Sequence, residues 1–281
     1  GTDSVGITAT ATAAQIPQAG FYAGSGLLSL NGGLINAVLS GLLGSNIDLD
    51  VASYNGLLQT NISALSFFQA LAANIGVTAG TYDSLLQNDV SMQQVLQAEI
   101  DALNAPGSVA AVALQSLLAQ ISGSPNLKLS DLFDLGVWQS QGLDTGTAQT
   151  ALQTTLNAYQ LASLAAQVAN GSNFAAIPSF DTSVLGLATL TVAAALIEKP
   201  QTAPFVFGPV GMAVHTSQVR LQINLSVPVP AGPLRLLLGS SAVQLPIYVE
   251  VAEGDAKLAR IDCGDDPRTT ATVTIDATPG L

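Results

Sequence analysis

The sequence predicts an α+β protein in which an antiparallel β-sheet or sandwich-like domain carries a large all-α helical insertion. Residues 219–227 alternate apolar and polar side chains, as in a strand with one buried face. Between residues 62 and 175 the apolar period changes to that of amphipathic helices. Short alternating segments separated by turns return after residue 180, which is typical of an antiparallel sheet.

The first predicted strand covers residues 5–13, where apolar residues alternate with threonines. If it joins the C-terminal sheet, the β domain consists of residues 1–15 and 181–281. Residues 16–180 then form the inserted, mainly helical domain. Inside this insertion, residues 34–43 predict a short helix closed by Gly44. Alternation over Ile47-Asp48-Leu49-Asp50-Val51 predicts a short strand near residues 47–53.

Small polar residues mark the predicted helix starts, because their side chains can accept the free N–H groups of a first turn. Helices are expected to begin at Ser63, at Thr81 or Tyr82, at Ser91, at Ser108 and at Thr145 or Thr147. The last of these is the longest and stops at Asn170-Gly171. Residues 129–135 predict one further short helix.

The C-terminal third predicts about six strands, at residues 187–199, 219–229, 234–238, 245–251, 257–263 and 270–277. Glu253-Gly254-Asp255 is interpreted as a hairpin turn, so that strand 257–263 pairs back on strand 245–251. Ala271, Val273, Ile275 and Ala277 are expected to face the core.

Charge excludes one class of function. The chain of 281 residues has a net charge of -12, which repels phosphate backbones and excludes nucleic-acid binding. Only 9% of residues are charged, so Ser, Thr, Asn, Gln and Gly must form the polar surface. That composition suits a periplasmic or cell-surface protein.

Known catalytic motifs are absent from the sequence, so no catalytic or cofactor-binding residue is predicted. There is no G-x-S-x-G elbow, no P-loop and no G-x-G-x-x-G after a strand. The single histidine, His215, is expected on a strand surface. The single cysteine, Cys263, is interpreted either as a buried reduced thiol or as one half of a disulfide with a cysteine outside this chain.

Carboxylates are the only abundant reactive groups. Asp48 and Asp50 would project from one face of a strand, and Asp265 and Asp266 lie close together near the last hairpin. Paired carboxylates could hold Ca²⁺, or act as acid and base in a glycosidase. The alternative is that they are solvated charges that keep a sheet edge from pairing with other chains. These four residues are the calcium candidates.

Several stretches, in the same order along nearly the whole chain, resemble the TadG-like family of the bacterial tight-adherence (Tad) pilus apparatus. They are GLLSLNGGLINAVLSGLLGSNIDLDVASYNGLL, NIGVTAGTYDSLL, KLSDLFDLG, AAQVANG, IEKPQTAPFVFGPVG, TSQVRLQINLSV and LPIYVEVAEGDAKLARIDC. The pattern consists of structural residues, so it transfers no functional residue. Some relatives carry a von Willebrand A-type metal site, but its D-x-S-x-S motif is absent here.

The resemblance implies a non-enzymatic minor pilin that acts outside the cytoplasm. Its expected partners are TadE-like and TadF-like minor pilins and the pilus fibre, in assembly, priming or tip capping. Membrane attachment is expected only through an N-terminal hydrophobic helix that this chain lacks. The alternative function is a surface adhesin or glycan-binding module, in one version calcium-dependent through the carboxylates.

Overall fold

A computed structural model describes residues 17–23, 32–123, 125–143, 152, 154–171, 174–175, 180–184, 188–197, 202–215, 219–228, 242–251, 254–263 and 271–278. These residues form helices and several small, mainly antiparallel sheets, which confirms the mixed α+β class. The described strands do not establish a sandwich. No helix among these residues has both the length and the apolar character needed to cross a membrane.

Helices occupy most of the described chain between residues 32 and 170. Four predicted N-caps are confirmed: the side chains of Ser63, Thr81, Ser91 and Ser108 each accept the N–H of the residue three positions on. Gly44, at φ +60°, follows the first helix as predicted. The helices are α1 Gly32–Leu43, α2 Val51–Leu58, α3 Ala64–Asn74, α4 Tyr82–Leu86, α5 Met92–Leu103, α6 Val109–Gln120, α7 Leu129–Leu132 and α8 Ala158–Asn170, with a 3₁₀ turn at Gly136–Ser140.

Strands occur both between the helices and in the C-terminal part of the chain. They are β1 Ala19–Tyr22, β2 Asn61–Ser63, β3 Asp89–Ser91, β4 Asn126–Lys128, β5 Phe133–Asp134, β6 Thr155–Asn157, β7 Phe174–Ala175, β8 Phe180–Val184, β9 Ala188–Ile197, β10 Phe205–Gly208, β11 Ala213–His215, β12 Val219–Pro228, β13 Ala242–Val251, β14 Asp255–Asp262 and β15 Thr272–Thr278. The sheet orders are β1-β10-β5, β11-β14-β15, β13-β12-β9-β7 with β8 beside β9, β2-β6 and β3-β4.

Three predictions within the helical part were wrong. Residues 46–50 belong to no strand, and helix α2 begins at Val51, so there is no strand at 47–53. The helix expected from Thr145 or Thr147 does not run unbroken to Asn170, because Thr155–Asn157 is a strand that pairs with Asn61–Ser63 and Asn157 then caps α8; Thr145 and Thr147 themselves lie outside the described residues. The helix expected over 129–135 ends at Leu132, since the chain turns extended to pair with β10.

Two predictions about the C-terminal strands were also wrong. Strand β14 does not pair back on β13; it lies between β11 and β15, while β13 pairs with β12. All side chains of β15 are exposed, so Val273 and Ile275 are not buried in a core. The predicted strands at 5–13 and 234–238 lie outside the described residues.

The main core fills the space between the helices, and it also includes Phe205 and Phe207 from β10. Strand β5 from the helical part pairs in parallel with β10, and the Phe133 and Phe205 rings stack at 5.3 Å. A smaller core consists of Phe21, Val206, Val214, Ala256 and Leu258. Helices and C-terminal strands therefore share side-chain packing, and the predicted domain boundaries stay a prediction.

Candidate interaction surface

The predicted calcium residues Asp48 and Asp50 lie in the extended segment before α2, where both have structural partners. The Asp50 carboxylate caps α2 by accepting the Ser53 N–H at 2.6 Å. This backbone hydrogen bond is the largest cause that lowers the pKa of Asp50, and a hydrogen bond with the Ser53 side chain lowers the pKa further. The Asp48 carboxylate accepts from the Asn36 amide at 3.4 Å. Alternation places both carboxylates in solvent, with Ile47 and Leu49 buried.

The other calcium candidates, Asp265 and Asp266, lie outside the described residues. Within the described part of the chain, no group of three or more His, Cys, Asp or Glu side chains is arranged to hold a metal ion. His215 lies on β11 rather than on the long strand that follows, and its Nδ1 contacts the carboxylate of its cross-strand neighbour Asp255. Cys263 is exposed, so the expectation of a buried thiol was wrong.

Helices α2 and α6 pack against each other and run antiparallel. At one end, the Gln120 side chain binds the main chain of Asp48, just before α2. At the other end, a Cβ added to Gly56 would lie 2.5 Å from Cγ1 of Val109. The missing side chain at Gly56 is therefore what lets the two helices approach closely.

The outer faces of this helix pair form a surface without charge, which we call the α2–α6 surface. Neither helix contains an acidic or basic residue. Val51, Val109 and Val112 are 65%, 56% and 51% exposed. The exposed members of the surface are Val51, Ala52 and Asn55 on α2, Gln59 directly after it, and Val109, Val112, Gln115 and Ala119 on α6. Exposed valines on an uncharged helix pair, in a chain of net charge -12, make this surface a candidate contact site for another molecule.

A second exposed feature is the junction between the β1-β10-β5 sheet and strand β15. An open pocket of about 230 Å³ lies there, lined by Gly20, Phe21, Tyr22, Thr154, Thr155, Leu156, Phe205, Phe207 and Ile275. It is smaller than the roughly 300–1,000 Å³ of most small-molecule sites, and its walls are mainly apolar.

Both features were accessible to sequence reasoning only in part. The absence of charge in residues 51–58 and 109–120 can be read from the sequence, but the contact at Gly56 that joins these segments cannot. Tyr22, Phe205 and Phe207 lie in two strands that are far apart in the sequence, and no local pattern indicates that these strands pair. Ile275 was assigned to the core, because its alternation does not reveal that β15 is an edge strand.

A comparison with protein-family models finds a match to part of this chain. Residues 31–169 match a family model described as "Domain of unknown function (DUF8293)", which covers just under half of the sequence. No curated protein and no solved structure matches the chain. The matched segment contains α1 through α8 almost completely, and so it includes the α2–α6 surface. Residues 31–169 are therefore similar to a sequence family, and the description of that family assigns it no activity.

Proposed function

We propose that this protein is a non-enzymatic subunit of a Tad-type pilus. In this role it is a minor pilin in the periplasm or at the cell surface, and it acts in pilus assembly, priming or tip capping. Its partners would be TadE-like and TadF-like minor pilins and the pilus fibre. The observation that carries the proposal is the α2–α6 surface, together with the resemblance of its α2 segment to the TadG-like pattern.

The α2–α6 surface fits an apolar helix of a small pilin-like partner. Two antiparallel helices leave a shallow groove, and an amphipathic helix can lay its apolar face into such a groove. Because α2 and α6 themselves carry no charge, a partner helix that covers Val109 and Val112 would bury no ionised side chain of these two helices. Val109 and Val112, both more than half exposed, are the side chains that such a helix would cover.

The test is capture of pilins by the full-length protein in cells that make pili. Val112→Glu introduces a charge on the α2–α6 surface. Val137→Glu introduces the same charge at a valine that is 57% exposed in the 3₁₀ turn, away from this surface. We expect Val112→Glu to reduce both the captured TadE-like and TadF-like pilins and the number of pili, whereas Val137→Glu leaves both unchanged.

Two results would contradict the proposal in different ways. If Val112→Glu captures pilins as well as the wild type does, then the α2–α6 surface is not the docking site. If the wild type captures no pilin, the pilus role itself is wrong. Normal pili combined with loss of attachment to surfaces would instead favour the adhesin alternative.

A further inference from the structure

Strand β15 is a long edge strand with little protection against pairing. In the β11-β14-β15 sheet, β14 occupies one side of β15, and no described strand occupies the other. All seven residues of β15 are exposed, and Asp276 is the only charged one. The opposite edge, β11, is only three residues long. Natural proteins shorten or charge their sheet edges, and β15 is neither short nor highly charged.

The apolar face of β15 continues a core that stops at this edge. Ile275 lies directly opposite Leu258 on β14, which is completely buried in the smaller core. Directly opposite residues point to the same face of a sheet, so Ile275 lies beside that core yet stays 42% exposed. It also forms part of the wall of the 230 Å³ pocket. A further strand beside β15 would cover Ile275 and bring its own side chains to this pocket.

We infer that this further strand is β15 of a second copy of the chain, paired antiparallel with Ile275 opposite Ile275 on a two-fold axis. The sequence Thr272–Thr278, TVTIDAT, is self-complementary in that register. In this register Val273 lies opposite Ala277 of the copy, Thr272 lies opposite Thr278, and Thr274 lies opposite Asp276. Apolar side chains therefore face apolar ones, and polar side chains face polar ones. The result is a continuous six-stranded sheet, an isologous contact typical of two-fold dimers.

Charge selects this register over its neighbours. Centring the pair on Asp276 would put two carboxylates directly opposite each other, which is destabilising. Centring it on Thr274 would leave only residues 272–276 paired. With Ile275 at the centre, Asp276 faces Thr274 of the copy and keeps Lys257 as its neighbour on β14. The acidic chains can therefore approach along this edge without placing like charges opposite each other.

The test is sedimentation velocity of the whole chain at micromolar to submillimolar concentrations, with reductant present because the exposed Cys263 thiol could link copies. We expect the wild type to dimerise. Ile275→Lys and Ile275→Glu, each alone, place like charges on the two-fold axis and remove apolar burial, which should weaken dimerisation about a hundredfold. An equimolar mixture of the two variants should recover a heterodimer, because the charges then oppose. Val210→Lys and Val210→Glu, at a 52% exposed turn position, are the matched controls and should dimerise like the wild type.

Each outcome decides the proposal. A wild type that stays monomeric throughout overturns it and leaves another segment or a different protein as the occupant of the edge. Dimers that survive both Ile275 substitutions overturn it as well, because the contact then lies elsewhere. A mixture that associates no better than either variant alone overturns the two-fold register at Ile275. The dimer does not involve the α2–α6 surface, so the pilus proposal stands or falls separately.

Discussion

The Gln120 side chain binds both main-chain groups of Asp48, accepting its N–H at 2.6 Å and donating to its carbonyl oxygen at 3.2 Å. This amide acts on the extended segment as a neighbouring strand would. We expect Gln120→Ala to lower the free energy of unfolding by about 1 kcal/mol, because these hydrogen bonds are lost while water can reach the exposed Asp48. Urea unfolding measures it. Gln115→Ala, at an exposed position on the same helix, should change stability by less than about 0.5 kcal/mol; equal effects would contradict the pairing.

Asp50 gives a prediction that separates a helix cap from a calcium ligand. Asp50→Asn keeps a side-chain oxygen for the Ser53 N–H and should preserve the Tm, whereas Asp50→Ala should lower it. The pKa of Asp50 is lowered in the folded state, so its contribution is present above the unfolded pKa of about 3.9 and is lost as pH falls through the folded value. Added Ca²⁺ should leave the wild-type Tm unchanged; a rise that disappears in Asp50→Asn would instead show a metal site.

Glu99 gives a prediction about pH. It is completely buried on α5, and neither carboxylate oxygen has a hydrogen-bond partner among the described residues. Burial raises the pKa of Glu99 well above its usual range. A raised folded pKa gives a contribution to stability that is full below the unfolded pKa of about 4.3 and is lost as pH rises towards the folded value.

We therefore expect Glu99→Gln to gain stability relative to the wild type as pH rises above about 4.3, by up to about 1.4 kcal/mol per pH unit. Urea unfolding of both proteins between acidic and neutral pH measures this difference and cancels the effect of the other carboxylates. A difference between Glu99→Gln and wild type that is independent of pH would show that Glu99 is ionised when folded.

Two glycines with positive φ form a matched pair for a test of close packing. Gly136 has φ +54°, and a Cβ there would lie 2.5 Å from the carbonyl oxygen of Phe207. Gly44 has φ +60° but no atom within 4 Å of such a Cβ. Gly44→Ala should cost only the left-handed backbone, about 1–2 kcal/mol. Gly136→Ala should cost clearly more, because backbone must move; equal losses in thermal or urea unfolding would contradict the close approach.

Local signals in the sequence predicted what local physics determines. The side chain of Ser91 accepts the Gln94 N–H, and Gln94 in turn accepts the Ser91 N–H, so the start of α5 needs no distant residue. Alternation also placed Ile47 and Leu49 inside and the aspartates outside correctly. It could not reveal that the Asn36 amide, bonded to Leu49 at 2.9 and 3.0 Å, and Gln120 would take the place of neighbouring strands.

The pairing of strands that are far apart along the chain could not be predicted from the sequence. The turn Glu253-Gly254-Asp255 favoured a hairpin, but β14 instead pairs with β11 and β15, and which partner wins depends on the packing of Leu258. For the same reason β15 was assigned a buried face. The uncharged character of the α2–α6 surface could be read from composition, whereas its exposure required the packing of both helices.

The position of strand β5 has a consequence for producing residues 31–169, the segment that matches the family model, as a separate fragment. A fragment cut at residues 31 and 169 would retain Phe133 but lose Phe205, the ring that stacks on it, and Phe207 from the same core. It would also lose β10, the partner of β5, and would therefore expose an unpaired strand edge next to aromatic rings that are no longer buried. Such a fragment should form inclusion bodies, while one extended through residue 208 should stay in the soluble fraction.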